Sequence, residues 1–132
     1  MVISLQVSNC LVARVMVDSG SSVDILFKDS LDKFNLESSM LNSCTSLLYG
    51  FTGDFVMPMG TIILPVILGQ PPAQIKWLTE FLVVDTPSAY NIILGRPFLV
   101  RTKSVVSIYH HVLKFPVGDR VRVTHGDQHC VH

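Results

Sequence analysis

The sequence contains few charged residues and no excess of either sign. Only 15% of its 132 residues are charged, and ten Lys and Arg balance ten Asp and Glu. A dedicated nucleic-acid-binding domain would have a basic face, so this balance argues against one. Apolar residues make up 48% of the chain, whereas an intrinsically disordered chain has the reverse balance. We therefore expect a single domain with its own core and no nucleic-acid partner.

Long apolar runs and paired cysteines are also missing. The richest apolar stretch, Thr61–Leu68, is interrupted by Pro65 and falls short of the roughly 18 residues that a membrane-spanning helix needs. The chain does not open with the basic segment of a secretory signal. Three scattered cysteines, Cys10, Cys44 and Cys130, with no Cys-x-x-Cys pair, argue against a disulfide framework and a structural zinc site. We expect a reducing, cytoplasmic location, no membrane contact and no bound metal.

What dominates instead is a series of short apolar runs separated by Gly, Pro, Asn, Asp and Ser. This pattern is typical of an all-β domain with many short strands. Strands are predicted at Val2–Val7, Leu11–Val17, Leu47–Tyr49, Thr61–Leu68, Phe81–Val84, Ile92–Leu94, Ser104–His110 and Leu113–Val117. Pro65 indicates a sheet edge or a bulge. With short helices predicted at Lys28–Asn35 and Pro97–Lys103, residues 1–118 are expected to form a small closed β-barrel.

The segment after Asp119 loses the apolar pattern, so residues 119–132 are predicted to be a polar tail or linker. This segment holds a loose group of potential metal ligands: His125, His129, Cys130 and His132. No apolar core would orient these side chains, so we favour a flexible tail over a metal site.

The segment Asp18-Ser19-Gly20-Ser21 directly follows an apolar strand and is the most informative part of the sequence. The glycine lets the backbone approach closely and leaves its N–H free to bond the carboxylate. Two such carboxylates facing each other share one proton and titrate as a pair, so that one activates water while the other protonates a substrate carbonyl. The alternative is an ordinary turn, because Asp, Ser and Gly are the residues that turns prefer.

Four segments in a fixed order make the sequence resemble the retropepsins, and specifically the protease of plant gypsy-type long-terminal-repeat retrotransposons. The resemblance covers Val12 to about Pro116. Its pieces are Val15–Phe27, Gly50–Asp54 with Met59–Ile63, Phe81–Asn91, and Ile92–Pro97. The first piece resembles the catalytic strand and loop of the family, and the next resembles its flap hairpin. The last resembles the hydrophobic-hydrophobic-Gly element that packs beneath the catalytic loop.

The resemblance implies an aspartic endopeptidase that acts as a homodimer on a polypeptide, the Gag–Pol polyprotein of its own element, without a cofactor. The sequence contains no second Asp-Ser-Gly or Asp-Thr-Gly, so the other carboxylate would come from a copy related by a twofold axis. The catalytic residues implied are Asp18, Ser19 and Gly20, with Ser19 bonding across the axis. The implied substrate-binding residues are Ser21, Ser22, Gly50, Phe51, Thr52, Gly53, Asp54, Phe55 and Ile93.

Two further expectations concern pairing. Retropepsins typically pair the arginine that corresponds to Arg96 with an acid four residues after the catalytic aspartate, but Ser22 stands there. We therefore expect Asp24 to be the partner of Arg96. The terminal strands, Val2–Val7 and Ser104–Val117, are candidates for part of the dimer interface.

The Gly126–Gln128 stretch leads towards reverse transcriptase in the family, which implies an excised piece of a polyprotein or a degenerate reading frame. Two alternatives to a protease stay open. One is a remnant or domesticated module that keeps the fold and dimerises or binds peptides without cleaving them. The other is an unrelated small β-barrel binding domain in which Asp18 caps a turn.

Overall fold

The computed structural model describes residues 1–36, 38–43, 48–49, 55–56, 58–71 and 73–127. The strands within these ranges are β1 (Val2–Val7), β2 (Cys10–Val17), β3 (Ile25–Phe27), β4 (Leu48–Tyr49), β5 (Phe55–Val56), β6 (Gly60–Gln70), β7 (Ala73–Val84), β8 (Ile92–Leu94), β9 (Val105–Ser107), β10 (Val112–Val117) and β11 (Arg120–His125). Short 3₁₀ helices cover Lys28–Phe34 and Ser38–Met40, and an α-helix, α1, covers Arg96–Arg101. No helix in the described part of the chain is long and apolar enough to cross a membrane.

Six of these strands close into a barrel in the order β1-β2-β8-β3-β7-β6. The predicted all-β class and closed barrel are therefore confirmed. Where burial alternates along a strand, one face of that strand is turned to the core of the barrel. On β6, for example, Ile62, Leu64, Val66 and Leu68 are buried while the residues between them are more exposed. A separate sheet has the order β11-β10-β9, and β4 pairs with β5.

Strand β8 determines where the loop after β2 lies. It pairs in parallel with β2, with Val17 opposite Leu94, and antiparallel with β3, with Ile25 opposite Ile93. Its three residues are fully buried, as is typical of a strand covered on both faces. Residues 18–24, which connect β2 to β3, must therefore cross over the end of β8.

Pro65 lies inside β6 rather than at its end. Strand β6 pairs with β7 along its whole length but with β1 only at Val66 and Ile67. The carbonyl of Pro65 accepts the N–H of Ser8, just beyond the end of β1. The missing N–H of proline is tolerated there because the neighbouring strand ends at that point.

Several element bounds agree with the sequence prediction, and β1 and β8 have the predicted limits. The predicted helix at Lys28–Asn35 is a 3₁₀ helix, and the second predicted helix begins at Arg96. The prediction missed β3, β5 and residues 73–80 of β7. Residues 108–110, predicted as strand, lie in the turn 108–111 between β9 and β10.

The predicted tail is wrong for the residues up to Asp127. Arg120–His125 form β11, which pairs with β10 at six positions. Its residues are mostly exposed, and an outer strand with this exposure needs no apolar pattern. The chain then returns to β1, where the N–H of Asp127 donates to the carbonyl of Val2 over 2.7 Å and the hydroxyl of Ser4 donates to the Asp127 carboxylate. Residues 128–132, including His129, Cys130 and His132, lie outside the described residues.

Substitutions of a buried and of an exposed residue on β7 are expected to lower the free energy of unfolding by different amounts. Phe81 is fully buried, whereas Leu78 on the same strand is 58% exposed. Phe81→Ala is expected to lower the free energy of unfolding by about 3–5 kcal/mol, because it removes buried apolar area and leaves a cavity. Leu78→Ala is expected to change it by less than about 0.5 kcal/mol. Urea unfolding of both variants measures the difference, and equal losses would contradict the placement of Phe81 in the core.

Candidate active site

Asp18 stands at the end of β2, half-buried, at the start of the connection to β3. Its N–H donates to the carbonyl of Leu94 over 2.9 Å, which continues the parallel pairing of β2 with β8. Its carboxylate Oδ1 accepts the N–H of Gly20 over 2.9 Å, and its carbonyl accepts the N–H of Ser21. The backbone of its own loop therefore holds the carboxylate in a fixed direction.

Gly20 leaves room for this arrangement, since a Cβ at that position would lie 3.2 Å from Asp18 Oδ1. Such a contact is tight, so the neighbour would have to give way. Gly20 and Ser19 are both exposed. The sequence-based expectation that the glycine N–H bonds the carboxylate agrees with the observed geometry.

Gly95, the residue after β8, packs directly beneath the loop formed by residues 18–24, which we call the catalytic loop after the role that the sequence resemblance implies for Asp18. A Cβ at Gly95 would lie 2.4 Å from the carbonyl oxygen of Val23 and 2.8 Å from that of Ser21. The next residue, Arg96, donates its N–H to the carbonyl of Ser21 over 2.9 Å. The expected position of the hydrophobic-hydrophobic-Gly element beneath the loop thus agrees with the geometry.

Asp24, the last residue of the catalytic loop, is 5% exposed. Its Oδ1 accepts the N–H of Gly95 over 2.7 Å. Burial raises the pKa of Asp24 to about 6, although hydrogen bonds from the backbone of Gly95 and Phe98 and the charge of Arg101 act in the opposite direction. Burial disfavours the charged form of the carboxyl group, and its effect on the pKa exceeds those of the hydrogen bonds and of Arg101.

The expected pairing of Asp24 with Arg96 is wrong. Among the described residues, these two side chains form no ion pair, and the ion pair that is present joins Lys28 to Asp85 at the surface. The Asp24 side chain turns inward to the backbone of Gly95, while Arg96 is exposed at the start of α1. The backbone N–H of Gly95 takes the place of the guanidinium.

The other sequence-predicted site residues lie in different surroundings. The hydroxyl of Ser21 donates to the carbonyl of Val23 over 2.7 Å, and Ser22 is exposed on the loop. Ile93 is fully buried in a second apolar cluster with Ile25, Phe27 and Val84. The structure therefore does not bring Ile93 to the surface near Asp18, and we leave it out of the proposed substrate-binding set.

The predicted flap residues are mostly outside the described part of the chain. Gly50, Phe51, Thr52, Gly53 and Asp54 lie outside it. The flanking strands β4 and β5 pair antiparallel, with Tyr49 opposite Phe55.

An open concavity of about 540 Å³ lies beside the catalytic loop. It is lined by Ser19, Arg96, Leu99, Val100, Lys103, Ser104, Val105 and Val106. Ser19 therefore shares this concavity with residues of α1 and β9. In the described ranges, no three His, Cys, Asp or Glu side chains are grouped so as to hold a metal ion.

Sequence reasoning assigned no role to Asn91, although it precedes β8. Its Oδ1 accepts bonds from Lys33 Nζ over 2.7 Å and from the hydroxyl of Ser30 over 3.0 Å. Its Nδ2 donates to the carbonyl of Ala13 over 2.7 Å. This buried amide joins β2 and the first 3₁₀ helix at the entrance to β8. Only its position before an apolar triplet could have drawn attention to it.

The structure is similar to a crystal structure described as that of the retroviral protease-like domain of Ddi1 from Leishmania major. The TM-score is 0.67, and the match covers 100% of this chain and 99% of that chain at 19% sequence identity. The chain has a retropepsin-like fold. An unrelated β-barrel is therefore excluded as the fold. The sequence matches no family model and no curated protein, so the expected origin in a plant gypsy-type retrotransposon finds no support in these comparisons.

The raised pKa of Asp24 predicts how stability depends on pH. The ordinary value is 3.8, and the folded value is about 6, so the folded state binds the proton more tightly. The contribution of the neutral acid to stability is fully present below pH 3.8 and is lost as pH rises through 6. We expect wild-type stability relative to Asp24→Asn to fall by on the order of 1–3 kcal/mol across this window.

Urea unfolding of the two proteins at several pH values checks this expectation. The difference between them isolates Asp24 from the other carboxyl groups, which titrate in both. A difference that stays constant from about pH 4 to about pH 7 would contradict a raised pKa of Asp24 in the folded state.

Proposed function

We propose that the chain is an aspartic endopeptidase that acts as a homodimer, in which Asp18 of each copy forms the catalytic pair. The observation that carries this proposal is the half-buried Asp18 at the strand end of a retropepsin-like fold, whose carboxylate accepts the Gly20 N–H and whose own N–H donates to the Leu94 carbonyl. The structural neighbour is itself described as protease-like. Aspartic proteases work through two carboxyl groups in contact that share one proton, because like charges so close together cannot both ionise.

The proposed reaction uses the two Asp18 carboxyl groups in complementary states. The ionised carboxylate takes a proton from water, whose oxygen attacks the peptide carbonyl carbon, while the protonated partner gives its proton to the carbonyl oxygen. A tetrahedral diol results. The C–N bond then breaks as the nitrogen takes up a proton and one hydroxyl of the diol returns a proton to the pair. This sequence of steps uses neither a metal nor an organic cofactor.

A set of exposed apolar side chains on α1, on β9 and in the turn after β9 supports the second copy as partner. We call it the α1–β9 surface: Val100, Val105, Ile108 and Tyr109, all more than 60% exposed. Val100 and Val105 line the concavity together with Ser19, and Ile108 and Tyr109 follow β9 directly in the chain. Strand β9 is an outer strand of its sheet. Apolar side chains gathered in this way are typical of interaction sites.

Strand β1 is a less suitable interface. It pairs with β2 along its length and with β6 at its end, and its Val2 carbonyl accepts the N–H of Asp127. Of the two terminal segments expected from the sequence, Ser104–Val117 is therefore the one that we propose for the interface.

The substrate we propose is an extended polypeptide, and the motif resemblance to gypsy-type elements makes a Gag–Pol polyprotein the natural candidate. Ser19, Ser21 and Ser22, with the predicted flap residues, would contact it. A cytoplasmic location belongs to the same proposal, because the cysteine pattern favours a reducing compartment.

The catalytic proposal predicts cleavage that depends on Asp18. Purified wild type is expected to cleave a denatured polypeptide at mildly acidic pH, with a rate that rises faster than linearly with protein concentration, since the site exists only in the dimer. Asp18→Asn is expected to lower the rate by about 100- to 10,000-fold, because it removes the general base and acid.

The matched control is Asp119→Asn, which changes an exposed aspartate away from the catalytic loop and should retain wild-type activity. Folded, dimeric wild type without cleavage would favour the non-cleaving peptide-binding module. Equal cleavage by wild type and Asp18→Asn would indicate a contaminating protease.

The interface proposal predicts that a charge on the α1–β9 surface prevents dimerisation. Ile108 is 87% exposed, and Ile108→Asp is expected to raise the dimer dissociation constant about 10-fold or more, because a charge would be buried between apolar side chains. The control is Leu11→Asp, which changes an 80% exposed leucine in a groove shared with Val121 and Val123. Sedimentation equilibrium measures both, and a dimer broken by Leu11→Asp but not by Ile108→Asp would contradict the assignment.

A further inference from the structure

Helix α1 is preceded by a residue that has no side chain to cap it. Its N-cap is Gly95, which has no side chain to accept the free N–H groups of the first turn. A capping Ser, Thr, Asp or Asn is excluded at this position, since a Cβ would collide with the carbonyl oxygens of Val23 and Ser21. The helix must therefore obtain its cap from another segment or leave buried N–H groups unpaired, which is costly.

Asp24 supplies that cap from the catalytic loop. Its Oδ1 accepts the Gly95 N–H over 2.7 Å, and the carboxyl group faces the backbone N–H of Phe98, which acts to lower its pKa. These are the N-cap residue and the third helical residue, the two N–H groups that a capping box normally satisfies with two side chains. Pro97, between them, has no N–H to satisfy. One distant carboxyl group thus bonds the Gly95 N–H and faces that of Phe98.

The same residue is anchored on its other side. The backbone carbonyl of Asp24 accepts the N–H of Leu82 on β7 over 2.9 Å. Arg101 at the end of α1 is the cation whose charge acts on the carboxyl group, and its guanidinium also lies over the ring of Trp77 at 5.7 Å. Asp24 therefore connects the end of the catalytic loop to β7 and to the first turn of α1.

This connection bears on Asp18 because the loop is fastened to the β8–α1 junction at three points. Two are backbone hydrogen bonds, from Asp18 to Leu94 and from Arg96 to Ser21. The third is the bond between Asp24 and Gly95, in which a side chain takes part. It is the one that a substitution can remove.

We propose that Asp24 is a positioning residue of the active site, which fixes the catalytic loop on the β8–α1 junction by capping α1 from the loop itself. The inference rests on the proposed function, since it concerns how Asp18 and Ser19 are presented to the second copy. Its structural part, the immobilisation of the loop, holds independently of catalysis.

The test compares Asp24→Ala, Asp24→Asn and Thr102→Val. Thr102 is the matched control because it is buried and follows the other end of α1, where its hydroxyl donates to the Phe98 carbonyl. The first measurement is hydrogen exchange of the Asp18 and Arg96 amides by NMR. The second is kcat and KM per folded dimer. Asp24→Ala is expected to speed exchange of both amides about 10-fold or more and to lower kcat by about 10- to 100-fold with little change in KM, because loosened positioning of a catalytic group costs rate.

Asp24→Asn keeps one acceptor for Gly95 but presents an amide to Phe98, so both measurements should fall between wild type and Asp24→Ala. Thr102→Val should lower stability and leave both measurements near wild type. Wild-type exchange and kcat in Asp24→Ala, or equal effects of Asp24→Ala and Thr102→Val, would overturn the proposal. If Asp24→Ala does not fold, unchanged exchange in Asp24→Asn overturns it equally. If wild type does not cleave, the proposed function fails, and the exchange measurements still decide the role of Asp24.

Discussion

The close packing of the catalytic loop on Gly95 is the constraint on which the rest of the site depends. Strand β8 ends between β2 and β3, so the connection from β2 to β3 has to cross over that end. The crossing is so tight that the carbonyls of Ser21 and Val23 occupy the space of any side chain at Gly95. As a result, the N–H groups at the start of α1 face the loop, and the loop supplies the carboxyl group that accepts them. The same contacts therefore fix both the position of the catalytic loop and the start of α1.

The barrel could be predicted from the sequence because its buried strands are recognisable as short runs of mostly apolar residues. Val2–Val7 and Ile92–Leu94 are apolar enough to be recognised without any partner, and both have the predicted bounds. Residues 73–80 of β7 and the strand β11 are different, since they expose much of their surface and contain the polar residues that exposure allows. Their strand structure comes from hairpin pairing with the preceding strands, β6 and β10, and such pairing does not require an apolar pattern in the strand itself.

The contacts of the site also divide into those that a local pattern predicts and those that it does not. The bond between Gly20 and the Asp18 carboxylate joins residues two apart, so local reasoning was sufficient to expect it. The partner of Asp24 is 71 residues away. Opposite charge suggested Arg96, but in a buried setting backbone N–H groups satisfy a carboxyl group without bringing a second charge out of water. A rule based on charge could not anticipate a partner that has none.

A loop that is already fixed in one chain has a consequence for dimerisation. Association costs free energy wherever it orders flexible groups, so a preformed site loses less on binding. Here the backbone bonds of Asp18 and Arg96 and the cap from Asp24 are all made within a single chain. The second copy would then have to supply its own Asp18 and cover the α1–β9 surface, without refolding the catalytic loop. In such a design the apolar surface determines how tightly two copies associate, and the Gly95 contact determines the geometry of the carboxylates once they meet.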